Sequence, residues 1–179
     1  LEVTSLEEAA RLCLDVALRL SGMDCGGVYI FDEDKDLQLV CCEGLSKGFV
    51  RAAHFERAGG EAVRNALESV LVRVYLPGNI SETRRALWVQ EGIRCVAFVP
   101  VSHHGQVIGA INLGSRLHSN GPSRDAYPAL EAMAAMLGSA LVRFQAEQAA
   151  RQSQQSLRES EARYRVLFEA ATDGIVIIE

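Results

Sequence analysis

The amino-acid sequence predicts an α/β fold of the α+β type, with a central antiparallel sheet of five or six strands and helices at both ends of the chain. Between residues 92 and 114, two apolar, β-rich runs flank the polar turn 102–106, as in an antiparallel hairpin. Both arms of this hairpin are apolar at nearly every position, so we expect it in the middle of a sheet covered on both faces. Pro100 has no N–H to donate, which predicts a strand end or a bulge just before the turn.

Upstream of the hairpin, helical and strand patterns alternate. Thr4 or Ser5 is a suitable cap for an amphipathic helix that ends near Gly22. The acidic turn 32–36 joins two strands and lacks the spacing of a calcium loop. Gly59 and Gly60 precede a short helix. The predicted elements are a helix at 6–22, strands at 25–31 and 37–42, a short helix within 44–55, a helix at 61–68 and a strand at 70–75.

Helices are also predicted on either side of the hairpin. Ser81 begins a short helix whose residues Leu87 and Trp88 face inward. Ser123 begins a long helix, and no Gly or Pro interrupts it between Ser139 and Thr172, so about fifty residues of continuous helix are allowed. Its buried stripe is predicted to consist of Leu130, Met133, Met136, Leu137, Leu141 and Phe144.

Composition excludes several classes of protein. A net charge of −5 and an isoelectric point near 5.4 argue against a nucleic-acid partner. No apolar run is long enough to span a membrane and no leader pattern is present, so we expect a cytoplasmic chain without direct membrane contact. Five cysteines without metal-ligand spacing predict reduced, buried thiols.

The hairpin carries a family resemblance. Six of its residues fall where the pattern of a GAF domain, a small-molecule sensing module, expects them: Gly92, Pro100, Gly105, Ile108, Gly109 and Leu113. The resemblance implies that the N- and C-terminal helices lie together on one face of the sheet. It also implies that short helices cover a cavity on the other face, with residues 77–91 as the lid of that cavity.

A ligand pocket is therefore expected between the sheet and the lid. Trp88, the only tryptophan, is interpreted either as a wall for a planar ligand or as a core residue that holds a short helix on the sheet. The buried amide of Asn112 needs a partner, which could be a ligand, the backbone or a water molecule. The predicted ligand-binding residues are Val40, Cys42, Phe55, Tyr75, Ile80, Leu87, Trp88, Phe98 and Asn112.

No catalytic residue and no metal site are predicted, because the sequence offers no nucleophile beside a base. His103 and His104 are interpreted as exposed turn residues. His54 lies near the expected cavity mouth, and a haem held by a single histidine remains an alternative. The signatures of cyclic-nucleotide, bilin-binding and sulfoxide-reducing GAF domains are absent. The segment is thus expected to be non-enzymatic, with the ligand or cofactor left open.

The long helix predicts a parallel homodimer. Leu130, Leu137 and Phe144 are spaced by sevens, and the apolar pattern lapses over 145–156 before it resumes at Leu157. A helix with so little apolar surface in its polar stretch needs a partner helix. The predicted dimer residues are Leu130, Leu137, Leu141, Phe144 and Leu157.

The end of the chain, at 159–169 and 172–179, resembles the beginning of a PAS domain. We therefore divide the chain into a GAF domain at 1–144, a helical signalling linker at 145–163 and the first residues of a PAS domain at 164–179. Family analogy implies a sensory domain of a two-component or related signalling protein, with a histidine kinase or diguanylate cyclase as output. The alternative is a structural dimerisation module that binds no ligand.

Overall fold

A computed structural model of the protein describes residues 5–68 and 71–173. It divides into two compact units, residues 1–142 and 143–179, which are treated separately below. The strand predicted at 70–75 lies partly outside the described residues, and so does the PAS-like segment 172–179, of which only 172 and 173 are described. For Ala62, Glu68 and residues 166–173, the structure describes the backbone and not the side chains.

The first unit is built on a six-stranded antiparallel sheet, which confirms the predicted fold class. The strands are β1 (Cys25–Phe31), β2 (Leu37–Glu43), β3 (Phe55–Glu56), β4 (Arg73–Tyr75), β5 (Cys95–His103) and β6 (Gln106–Ser115). Their order across the sheet is β3-β2-β1-β6-β5-β4. The β5–β6 hairpin and β1 therefore occupy the middle of the sheet, where the apolar sequence predicted the hairpin to lie.

The hairpin turn consists of His104 and Gly105, whose φ angles are 48° and 79°. Two consecutive positive φ values define the tight turn whose twist matches that of the flanking strands. Pro100 pairs with Ala110, and the register shifts between Val101 and Ser102. The bulge predicted beside Pro100 is thus present one residue further along.

The described residues form five α-helices: α1 (Leu6–Ser21), α2 (Lys47–Ala53), α3 (Glu61–Glu68), α4 (Glu82–Glu91) and α5 (Tyr127–Asp173). The predicted start of α1 is confirmed, since the Ser5 hydroxyl accepts a hydrogen bond from the Glu8 N–H at 3.2 Å. Its end is also confirmed, because Gly22 adopts φ 67°.

Both terminal helices pack on one face of the sheet. Val28, Ile111 and Val99 lie side by side in register on three central strands and are fully buried. Leu14 of α1 lies against Gly26, on the same face of β1 as Val28. Gly138 of α5 packs against β5 at Ser102 and Val101, on the face that Val99 shares. The α5 residues Leu130, Ala134, Leu137 and Leu141 complete this core.

The structure corrects three predicted elements. Phe55, expected in a loop, belongs to strand β3, which has only two residues and pairs with the edge of β2. Such a short strand has no periodicity to reveal it. Strand β4 begins at Arg73, and Leu71 before it is exposed. Ser123 caps a 3₁₀ turn, Arg124–Ala126, and α5 begins only after it, at Tyr127.

The second unit is described only as part of α5. This helix has 47 residues, so the uninterrupted helix that the sequence predicted is present. From 145 to 165 every side chain is exposed. Leu157 and Tyr164 are 60% and 71% exposed, respectively.

Close packing of α5 on the sheet leads to a first prediction. A Cβ at Gly138 would collide with the carbonyl group of Ser102, which is backbone and cannot rotate away. We expect Gly138→Ala to lower the free energy of unfolding by about 1–3 kcal/mol, although alanine favours helix by about 1 kcal/mol. Urea unfolding of the purified protein measures the change.

Gly48→Ala in α2 is the matched control. The nearest atom to a Cβ there, apart from neighbours in the chain, is the Ser46 hydroxyl oxygen at 3.7 Å. This variant should therefore gain roughly 0.5–1 kcal/mol. Equal responses at the two glycines would contradict the close packing of α5 on β5.

Candidate functional site: a cavity between the sheet and helices α2 and α4

A cavity of about 520 Å³ lies on the face of the sheet opposite the terminal helices. Its walls come from β1, β5 and β6 and from α2 and α4, with residues of β3 and α3 at the side. This volume falls within the range of roughly 300–1,000 Å³ that is typical of small-molecule sites. The cavity therefore has the size and position of a ligand pocket.

Two glycines and a polar residue lie in the floor of the cavity, on strands β1 and β6. Gly27 of β1 and Gly114 of β6 line it, and Asn112 lies directly across from Gly27 in the β1–β6 register. A Cβ at Gly27 would meet Leu39 Cδ1 at 2.7 Å, and one at Gly114 would meet Cys25 Sγ at 2.9 Å, so neighbouring side chains pack closely against both glycines. Tyr29, two residues beyond Gly27 on the same face of β1, also lines the cavity.

Aromatic side chains form the opposite wall. Phe49 of α2 and Trp88 of α4 line the cavity and pack together with Ile80, Ile93 and Val96 in one cluster. Trp88 is only 6% exposed. It therefore packs in the core, where it holds α4 on the sheet, and it also lines the cavity.

Helix α4 turns one side to the cavity. Thr83, Ala86, Leu87 and Gln90 are three or four residues apart and all line it. The helix ends at Gly92, which has φ 77° and donates its N–H to the carbonyls of Trp88 and Val89. The lid predicted at 77–91 thus consists of a 3₁₀ turn, Pro77–Asn79, followed by α4, whose inner side is mixed polar and apolar.

Three charged side chains stand together in the cavity wall. Arg84 of α4 contacts the Glu56 carboxylate at 2.5 Å through Nη2, and its Nε lies 3.7 Å from Glu61 Oε2. Glu61 also accepts the Ser81 N–H at 3.0 Å. Burial alone would raise the pKa of Glu61, but the hydrogen bonds from Ser81 and the charge of Arg84 outweigh it and lower that pKa. Glu61 is therefore ionised at neutral pH.

Two buried polar atoms lack a hydrogen-bond partner in the described part of the chain, Asn112 Oδ1 and the Tyr75 hydroxyl. A buried polar atom without a partner costs about 1–3 kcal/mol. Of these two residues, Asn112 lines the cavity. A molecule bound there could donate to its Oδ1 and remove that cost.

Arg116, just after β6, fastens the far end of α4 to the sheet. Its guanidinium donates to the Glu91 carboxylate at 2.7 Å, to the Asp24 carboxylate at 3.1 Å and to the carbonyls of Glu91 and Gly44. Glu91 also accepts both the N–H and the hydroxyl of Ser46, at 2.8 and 2.5 Å. One arginine thus joins β6, the start of β1, the start of α2 and the end of α4.

The thiols and histidines do not form a reactive site. Burial raises the pKa of the Cys25 thiol, which lines the cavity, to about 11, so it stays protonated at neutral pH. His54 Nδ1 lies 2.8 Å from the Arg51 carbonyl oxygen, and His103 and His104 are at the hairpin tip. Within residues 5–68 and 71–173, no cluster of three potential metal ligands is present.

The predicted ligand-binding residues fall into three groups. Leu87, Trp88 and Asn112 line the cavity. Others pack in the clusters around it: Ile80, Tyr75 and Phe98. Val40, Cys42 and Phe55 do not line it; Phe55 lies at the sheet edge, on β3.

Sequence reasoning missed Tyr29, Phe49, Glu56, Glu61 and Arg84 as lining residues. Arg84 is three and four residues before Leu87 and Trp88 and so shares their side of the helix. That spacing was the available signal. The two glutamates come from separate elements, β3 and α3, and only the tertiary fold brings them to Arg84.

Comparison with known proteins identifies the family. The family model of the GAF domain matches residues 3–142. The chain therefore belongs to the GAF domain family. A comparison with curated proteins gives no match.

Solved structures share the fold. A domain assigned to a two-component sensor histidine kinase of Sinorhizobium meliloti is 24% identical, with a TM-score of 0.66 over 84% of this chain and 99% of that one. A GAF domain/HD domain protein of Geobacter sulfurreducens is 19% identical, with a TM-score of 0.67 over 79% and 95%. The chromophore-binding domain of an R. palustris bacteriophytochrome is 15% identical, with a TM-score of 0.62 over 82% and 57%. The GAF fold is thus shared with structures of low sequence identity.

None of the described helices combines the length and the apolar character that a membrane span requires.

The Arg116 contacts lead to a second prediction. Arg116→Met leaves the nearly buried Glu91 carboxylate without its cation, so we expect a loss of about 2–4 kcal/mol in the free energy of unfolding at pH 7. Hydrogen bonds and the charge of Arg116 lower the pKa values of Asp24 and Glu91 against the effect of burial. Stability from such carboxylates is present above their ordinary pKa and is lost as the pH falls through the lower folded values. The difference between wild type and variant should therefore shrink in acid.

Arg19→Met is the matched control, because Arg19 pairs with Asp15 on the surface and its side chain is 77% exposed. This variant should change stability by ~0.5 kcal/mol or less. Chemical unfolding at several pH values measures both variants. An Arg116 variant as stable as the Arg19 variant would refute the anchoring role.

Proposed function

We propose that this GAF domain is the sensory module of a signalling protein, which takes a small molecule into the cavity and relays its bound state through α5. The observation that carries the proposal is a cavity of about 520 Å³ containing a buried, unpartnered Asn112 Oδ1. A buried polar atom without a partner on a residue that lines a cavity is a feature that a bound ligand can satisfy. The names of the structural neighbours, sensor kinase and chromophore-binding domains, support the same role.

The proposed mechanism uses the unequal attachment of α4. Its C-terminal end is held by the Arg116 contacts, while its N-terminal half contacts the opposite wall through Arg84. A ligand that exchanges contacts with Arg84 changes the position in which the N-terminal half of α4 is most stable. The size of the shift is limited by the difference in ligand affinity between the two states.

The alternative, a structural dimerisation module, predicts a closed core where Trp88 and Asn112 meet the sheet. The cavity lined by both residues favours sensing. We extend the proposal to a cytoplasmic signalling protein in which α5 leads to a PAS domain and an output module such as a histidine kinase. This extension rests on the sequence resemblance at the end of the chain.

The relay is proposed to act in a parallel homodimer. Leu130, Leu137 and Leu141 are buried in the core of their own domain, so they are not available to a partner, and Phe144 is half-buried. A different row of α5 is exposed: Met136, Leu157 and Tyr164 are separated by multiples of seven residues. Such a row supplies one of the two positions per heptad that form the seam of a two-stranded coiled coil, with Arg143 and Ala150 between its apolar members. We therefore place the dimer contact on this row.

Ligand binding in the cavity gives a third prediction. Protein purified without denaturation should carry a small molecule in native mass spectrometry. Ala86→Trp places a large side chain on the cavity side of α4 and should abolish that adduct. Val89→Trp, on the exposed side of the same helix, is the matched control and should retain it. Bare protein in the wild type and in both variants would contradict sensing through this cavity.

The dimer gives a fourth prediction. Leu157→Glu places a charge on the proposed seam, so the dissociation constant of the dimer should rise at least about tenfold. Gln152→Glu adds the same charge about 140° round the helix and should leave that constant nearly unchanged. Sedimentation equilibrium of wild type and variants measures both. A wild-type chain that stays monomeric at submillimolar concentration would rule out this assembly.

A further inference from the structure

The charged groups in the cavity are not balanced. Glu56, Glu61 and Arg84 are the ionised side chains among the described residues that line it, so carboxylates outnumber cations by two to one. Arg84 is already engaged, at 2.5 Å from Glu56 and 3.7 Å from Glu61. An anion entering the cavity would have to compete with two carboxylates for one guanidinium, and it would add to the excess negative charge.

The hydrogen-bond acceptors of the cavity also favour a ligand that donates N–H groups rather than an anion. Asn112 Oδ1 is a buried acceptor without a donor, on the floor between β1 and β5. The two carboxylates are also acceptors, and only part of their capacity is used by Arg84 and the Ser81 N–H. The cavity therefore offers unfilled acceptors on its floor and at its side.

The remaining walls fit a flat apolar body. Phe49 and Trp88 line one side, and Tyr29 lines the floor. The Tyr29 hydroxyl is close enough to Arg84 and Glu56 for their charges to affect its pKa, although burial is the main cause of the upward shift. The aromatic part of the cavity and its charged part are thus adjacent, and one compact molecule could touch both.

We propose that the ligand of this cavity is a compact aromatic or heteroaromatic molecule that is neutral or cationic and donates N–H groups, as amidines and amines do, and that anions are disfavoured. The ring lies between the aromatic wall and the sheet, and its N–H groups donate to Asn112 Oδ1 and to the Glu56 and Glu61 carboxylates. This inference rests on the proposed function, because it requires that the cavity take a ligand.

Three probes that share one ring test the inference: benzamidinium, benzamide and benzoate at constant ionic strength and neutral pH. Trp88 is the only tryptophan and lines the cavity, so a saturable change in its fluorescence reports binding there. Probes of this size bind with dissociation constants in the roughly millimolar range. Benzamidinium should bind at least about tenfold more tightly than benzoate, with benzamide between them.

Variants of the lining residues test which side chains cause the preference for benzamidinium over benzoate. Glu56→Gln with Glu61→Gln keeps the shape of the wall and leaves Arg84 unopposed, so this double variant should reverse the order and bind benzoate more tightly. Asn112→Leu, of similar size, should weaken benzamidinium and benzamide by about fivefold to tenfold. Glu43→Gln removes an exposed carboxylate outside the cavity and should leave all three affinities unchanged. Circular dichroism confirms that each variant folds.

The possible failures are distinguishable. Benzoate binding as tightly as benzamidinium would overturn the charge preference and leave the proposed function intact. If no probe binds while native mass spectrometry shows an adduct that Ala86→Trp removes, the inferred ligand class is again wrong and sensing stands. If neither experiment shows a bound molecule, both the inference and the proposed function fall.

Discussion

The cavity depends on one arginine. A helix that covers a sheet without filling the space beneath it gains little from apolar burial and must be held by other contacts. In this domain Arg116 provides them, since it fixes the end of α4 to β6 and β1 and, through Glu91, to the start of α2. Arg116 and the carboxylates of Asp24 and Glu91 are partly or nearly buried, where charge-assisted hydrogen bonds are stronger than on the surface. The Arg116 contacts therefore hold α4 in the position that leaves the cavity open beneath it.

The two ends of α4 are held by contacts of different kinds. At its end, Glu91 is nearly buried and is satisfied by Ser46 and Arg116 together. Near its beginning, Arg84 makes one close and one distant contact with carboxylates that also line the cavity. A molecule in the cavity can touch the Arg84 contacts directly, whereas it can affect the Glu91 contacts only through the helix. This difference makes the beginning of α4 the part whose position a ligand can alter.

The sequence predicted those parts of the fold that periodicity and backbone chemistry determine. The hairpin, the bulge beside Pro100 and the ends of α1 follow from local residue types, and the structure confirms them. The two-residue strand β3 has no period and exists only because β2 offers an edge. The charged group of the cavity joins β3, α3 and α4, so no local pattern could reveal it. Asn112 was found because a single polar residue in an apolar strand is visible in the sequence itself.

The dimer residues predicted on α5 illustrate the same limit, because three of them are buried within their own domain. A heptad pattern shows that residues share one side of a helix, but it does not say whether that side meets a sheet or a second helix. Leu130, Leu137 and Leu141 meet the sheet, where Gly138 allows α5 to approach β5 closely. One layer of strands thus separates the cavity from α5, with Asn112 on one face and its neighbours Ile111 and Leu113 on the other. In the proposed relay, a ligand that shifts these strands would act on α5 through the close contact between Gly138 and β5, because a packed contact transmits displacement.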